Sequence, residues 1–164
     1  VYGDHVELTK IHFGNSDHEV DVGRDFASTI GTGAVLGTKF TWPDYGPKFK
    51  TVQLTPEKEK YWKKWIGIYN SRMLSRGEFL NLYTYGYDVP EGYAIAKDGK
   101  MYYAFYAPEN SPAWAGEIEL RGLKSGQYQV MDYESGKQLG TVNSQSPQLK
   151  VSFQEHLLLE VSPR

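Results

Sequence analysis

Six acidic residues crowd the first twenty-five positions of the chain: Asp4, Glu7, Asp17, Glu19, Asp21 and Asp25. Carboxyl groups in pairs suit glycoside hydrolysis, in which one group protonates the leaving oxygen while the other attacks the anomeric carbon or activates water. Tyr2-Gly3-Asp4 reads as a strand end releasing an acid into a loop, the place from which barrel enzymes present catalytic carboxylates. By residue type alone these are also ordinary solvated loop acids, the commoner fate of aspartate. His5, His12 and His18 lie among them, yet with Glu7 and Glu19 they form neither a His-Glu-x-x-His helix nor another compact ligand spacing, so no metal is expected. Gly31-Thr32-Gly33-Ala34-Val35-Leu36-Gly37 resembles a dinucleotide fingerprint, but its last glycine comes one position late and no helix pattern follows. No cofactor is expected, and the glycines are read as a close approach of backbone to a loop or ligand.

These candidates need elements to position them. Residues 1 to about 50 read as strand ends and long loops, the material of active-site rims. A helix follows, with Thr55 as N-cap, Pro56 at the first helical position and Glu57 and Glu59 in the first turn, where carboxylates suit the helix dipole. Trp62, Trp65, Ile66, Tyr69 and Met73 then share one face, opposite Lys60, Lys63, Lys64 and Asn70, and Gly77 ends the helix. The stripe is read as an amphipathic helix docked on a core.

From Glu78 onward short β-rich runs alternate with turn residues at the spacing of a sandwich: Glu78–Thr84, Gly92–Lys97, Lys100–Ala107, Gly116–Arg121, Gln127–Tyr133, Lys137–Val142, Leu149–Phe153 and His156–Val161. Asp98-Gly99 marks a two-residue hairpin, and Ser135-Gly136 a second. With no helix pattern in this series, parallel crossovers are excluded and a mostly β, antiparallel Greek-key-type sandwich is expected, preceded by an irregular segment and one amphipathic helix.

Composition narrows the partners. A net charge of −2 with both signs interspersed leaves no electrostatic footprint for nucleic acid, and no apolar run is long enough to span a membrane. The absence of cysteine excludes disulfides, thiolate metal sites and a cysteine nucleophile. The 13 Tyr, 7 Phe and 4 Trp suit both β-cores and stacking on the faces of sugars.

Three stretches carry a wider pattern: Tyr2–Leu8, then Asp25–Gly31 through Gly37-Thr38-Lys39-Phe40-Thr41-Trp42-Pro43, then Leu54-Thr55-Pro56-Glu57. They resemble the last strands of the catalytic barrel in α-galactosidase-like retaining glycoside hydrolases. Tyr85–Glu91 and Lys97–Tyr106 are similar to the linker and first hairpin of the C-terminal β-sandwich in the same proteins. The resemblance implies a (β/α)8 barrel whose nucleophilic Asp lies upstream, with residues 1–77 forming the end of that barrel, its loops and a helix, and 78–164 the sandwich. It implies an acid/base residue at Asp4 or Glu7, the choice left open because Gly3-Asp4 followed by Glu7 departs from the family's Ser-Asp with a second Asp three residues on. Lys39 and Trp42 would line the sugar site after the eighth strand.

On that resemblance the chain is the C-terminal portion of a hydrolase of α-linked, galactose-containing saccharides, inactive alone, with a periplasmic or secreted location favoured. Its partners would be saccharide and the rest of the barrel. Barrel strands without their neighbours expose edges, so the N-terminal part is expected to rearrange, to self-associate, or to be held on the sandwich by the Trp62/Trp65 helix. A second reading is a non-catalytic carbohydrate-binding module using Tyr102, Tyr106, Trp114, Tyr128 and Tyr133, and a third is a purely structural role.

Overall fold

The computed structural model describes residues 5–7, 9–11, 20–22, 26–37, 56–108 and 110–164, with backbone alone at 5–7, 9–11, 20–22, 37 and 58. Three short strands come first, β1 (His5–Glu7), β2 (Thr9–Ile11) and β3 (Val20–Val22), then helix α1 (Phe26–Gly31) and β4 (Val35–Gly37). Helix α2 (Pro56–Arg72) and a 3-10 turn (Leu74–Arg76) lead to β5 (Glu78–Leu80), β6 (Glu91–Lys97), β7 (Lys100–Tyr106), β8 (Ala113–Glu119), β9 (Gln127–Asp132), β10 (Gln138–Asn143), β11 (Gln148–Gln154) and β12 (His156–Pro163). Each of the eight expected strands is present, and the chain is mostly β.

The main sheet has the order β10-β9-β12-β7-β6-β5 with every neighbouring pair antiparallel. β8 and β11 form a separate antiparallel pair, from Ala113 opposite Gln154 to Glu119 opposite Gln148. After β7 the chain therefore crosses to the small sheet, returns for β9 and β10, crosses again for β11 and closes with β12 between β7 and β9. The β6–β7 hairpin turns at Asp98 (φ 51°) and Gly99 (φ 74°), the paired positive φ values of the turn that an Asp-Gly dipeptide favours.

Polarity along each strand tells which faces are covered. Leu149, Val151 and Phe153 alternate with Gln148, Lys150, Ser152 and Gln154, so β11 has one dry face and one wet one. β7 reads Lys-Met-Tyr-Tyr-Ala-Phe-Tyr without such alternation and is buried on both faces. Met101, Tyr103 and Phe105, with Leu157, Leu159 and Val161 from β12, meet Ile118 and Phe153 of the small sheet. Tyr102, Ala104 and Leu158 point the other way and meet Phe26, Ile30, Trp62 and Trp65 of the two helices. The result is three layers, small sheet, main sheet and helices, with a core on each side of the middle one.

The helical layer departs from expectation at two points. Phe26–Gly31, within the stretch read as strand ends and loops, is a helix. Six residues are too few to show a period or to be stable by propensity, so the helix depends on burying Phe26, Ala27 and Ile30 against the sheet. A Cβ at Gly31 would run into the Tyr106 hydroxyl and Ala104, so this glycine serves close helix-to-sheet approach, and Gly33 takes φ 74° in the turn that follows.

The second departure is that α2 ends at Arg72 rather than at Gly77. Met73 adopts the left-handed conformation (φ 45°, ψ 49°), and its N–H reaches the Tyr69 carbonyl at 2.7 Å, the single-bond left-handed cap. That turn aims Leu74 into the core, and Gly77 closes only the following 3-10 turn. Thr55, the expected N-cap, lies outside the described residues.

Polar ties fasten α2 to the sheet as well. The carboxylate of Glu160, 9% exposed on β12, accepts from Lys100 Nζ at 2.5 Å and pairs with the Arg72 guanidinium at 3.4 Å. A buried charge left unpaired would be costly, so the pairing is what permits a glutamate in this layer.

Candidate functional site

Tyrosines and carboxylates converge where β6 begins and β7 ends. The hairpin register sets Glu91 opposite Tyr106 and Tyr93 opposite Ala104. Glu91 and Tyr93, two apart on one strand, share a face, and the Tyr93 and Tyr106 rings meet edge to face at 5.8 Å. The Tyr106 hydroxyl donates to the Ala27 carbonyl at 2.9 Å, which fixes α1 at one wall. Between them lies a cavity of about 530 Å³, completed by Ser28, Thr32, Tyr61, Pro108, Pro112, Glu155 and His156. A smaller cavity of about 130 Å³ adjoins it, with Glu91 and Tyr93 as shared walls and Phe79, Asn81, Tyr83 and Tyr85 beyond.

The Tyr93 hydroxyl donates to Glu91 Oε1. Burial first, and then the Glu91 carboxylate, push Tyr93 up to about 12, so at neutral pH it remains a donor rather than a base. On the opposite rim His156 Nε2 and Glu134 Oε2 lie 2.6 Å apart, while Lys64 Nζ donates to Glu134 Oε1 at 2.6 Å. The His156 contact first, with Lys64 adding to it, lowers Glu134 to about 2 against the cost of burial. His156 also meets Trp65 edge to face at 5.8 Å, so this trio links α2, the β9–β10 turn and β12. Among the described residues no group of three or more His, Cys, Asp or Glu could hold a metal ion.

Asp4, Lys39 and Trp42 lie outside the described residues, and Glu7 is described by its backbone alone, as the last residue of β1. β1 and β4 pair in parallel, with His5 opposite Val35 and Glu7 opposite Gly37. Glu7 and Gly37 are thus the last residues of the two paired strands.

The five rings named for a binding platform do not form one. Tyr102, Tyr128 and Tyr133 are buried, Tyr106 is half-buried against α1, and Trp114 packs on Phe153 at 5.6 Å. Alternation cannot expose the tyrosines because both faces of the main sheet are covered, while Trp114 lies on the inner side of the small sheet. Glu91 and Tyr93 were missed among the candidates. Counting outward from the Asp98-Gly99 turn pairs Lys97 with Lys100 and hence Glu91 with Tyr106, so the hairpin signal was sufficient to find them.

No family model matches the chain. In sequence the chain is similar to a small part of a larger glycoside hydrolase. It is 33% identical over 140 residues to the A type blood alpha-D-galactosamine galactosaminidase of Flavonifractor plautii, a match covering 82% of this chain and 12% of that protein. Among solved structures, a proposed α-N-acetylgalactosaminidase of Bacillus halodurans is 16% identical, with a TM-score of 0.40 over 54% of this chain and 21% of that one. A GH27 β-L-arabinopyranosidase of Geobacillus stearothermophilus is 17% identical, with a TM-score of 0.37 over 44% of this chain and 17% of that one.

Proposed function

We propose that this chain is the C-terminal portion of a retaining glycoside hydrolase acting on α-linked saccharides of the galactose or galactosamine type, with the region from Glu78 onward as an accessory sandwich. The observation that carries this reading is the 33% identity over 140 residues to a galactosaminidase. In this reading the chain carries one of the two carboxyl groups that the reaction uses. Retaining chemistry needs two of them about 5–5.5 Å apart. The resemblance assigns one, the acid/base group, to Asp4 or Glu7, and places the nucleophile upstream. Lys39 and Trp42 line the sugar site in this reading, and residues 1–77 form the end of the barrel.

The sandwich then has a mechanical part. Its outer core is sealed by β8 and β11, while its inner face carries α1 and α2, the elements that follow the acid-bearing segment. The test is hydrolysis of an aryl α-galactoside and an aryl α-galactosaminide by a longer polypeptide that contains these residues. Asp4→Asn or Glu7→Gln, whichever is the acid/base group, is expected to lower kcat on poor leaving groups by about 10²–10⁴-fold. Full activity on such substrates in both variants would remove the assignment.

A further inference from the structure

Four large apolar side chains are exposed at one corner of the molecule: Phe79 on β5, and Tyr85, Tyr87 and Val89 in the loop that follows. Tyr85 is 80% exposed, Tyr87 86% and Val89 65%. A loop that bears so much apolar surface would ordinarily fold it inward. This loop is instead held from behind. Asp88 accepts the Thr84 N–H at 2.6 Å, and Arg121 clamps the Asp88 carboxylate through both terminal nitrogens at 2.9 and 3.1 Å. Arg121 also donates to the Leu82 carbonyl at 3.0 Å and lies over the Tyr83 ring at 4.9 Å. The exposure of the rings is thus built in, a preorganised presentation rather than a loose one.

We propose that this corner is a saccharide-binding site, which seats one sugar unit in the 130 Å³ cavity between Tyr85, Phe79 and Tyr93. The class of ligand follows from the walls. The cavity is far smaller than the roughly 300–1,000 Å³ of a drug-sized pocket, so it takes a single ring. Its walls carry the side chains of Phe79, Tyr83, Tyr85 and Tyr93, of the kind that packs on sugar C–H groups, together with Glu91 and Asn81, whose side chains can accept from and donate to hydroxyls. Glu91 and Tyr93 also border the 530 Å³ cavity, so the two cavities are neighbours across these two side chains. The ligand this neighbourhood suits is an oligosaccharide with one unit in the smaller cavity. This inference rests on the saccharide class of the proposed function, but it requires no hydrolysis.

The experiment is calorimetric titration of the 164-residue chain with melibiose and with a galactomannan oligosaccharide, alongside Tyr85→Ala and Glu91→Gln. Circular dichroism and a thermal melt on each sample establish that it is folded. Saturable heat with the oligosaccharide is expected, weakened about tenfold or more by Tyr85→Ala and severalfold by Glu91→Gln. Absence of saturable heat from the folded wild-type chain, with either probe, overturns the proposal. So does binding that neither substitution weakens, and both outcomes count against the site whatever the longer polypeptide hydrolyses.

Discussion

Two neighbouring side chains in the β9–β10 turn, packed against α2, respond in opposite ways to substitution. The Tyr133 hydroxyl is buried, with the Arg72 guanidinium over its ring at 4.9 Å and Tyr102 edge-on at 6.1 Å, and among the described residues it has no hydrogen-bond partner. A buried hydroxyl without a partner forfeits its hydration, a cost of about 1–3 kcal/mol. Tyr133→Phe keeps the ring and is expected to raise unfolding stability by about 1 kcal/mol in urea denaturation. Glu134, in contrast, is fully engaged. Its folded value of about 2 lies below the ordinary glutamate value of 4.5, so its contribution is present above pH 4.5 and is lost as pH falls toward 2. Between those limits wild type is expected to lose about 1–3 kcal/mol more than Glu134→Gln, measured as the difference between their stability-against-pH curves.

Element by element, the chain shows what periodicity can and cannot reveal. The β11 alternation and the Asp98-Gly99 turn are local signals, and both elements were legible in the sequence. Helix α1 was not, because six residues carry no period and what holds them helical is the sheet beneath Gly31. The end of α2 escaped for a related reason. Met73 occupies a left-handed position where glycine is the usual choice, and the need to bury Leu74 outweighs that preference. Met73→Gly should therefore raise stability by about 1 kcal/mol in the same denaturation assay, minus whatever packing the Met side chain supplies. Trp65 stacks on Phe26 with ring planes 3° apart at 6.2 Å and joins both helices to the sheet. Its replacement by Ala should cost about 3–5 kcal/mol.

Across the whole molecule, the main sheet is a shared wall with a core on each side, which explains why β7 and β12 are apolar almost throughout. That double burial also decided the fate of the aromatic residues. Composition could not distinguish rings for sugars from rings for packing; among the described residues most are packing, whereas Tyr85 and Tyr87 are displayed by a loop locked from behind. The acid/base candidates Asp4 and Glu7 were read from residue type and resemblance, and the parallel pairing of β1 with β4 gives the backbone frame for Glu7 alone. The likeness to a galactosaminidase covers only 12% of that protein. In the proposed division of labour this chain supplies a scaffold and at most one carboxyl group of a retaining pair. The most direct test is prolonged incubation of the purified 164-residue chain, at high enzyme concentration, with an aryl α-galactosaminide and an aryl α-galactoside. No turnover above the uncatalysed rate is expected, while steady multiple turnover proportional to the concentration of this chain would contradict the proposed division.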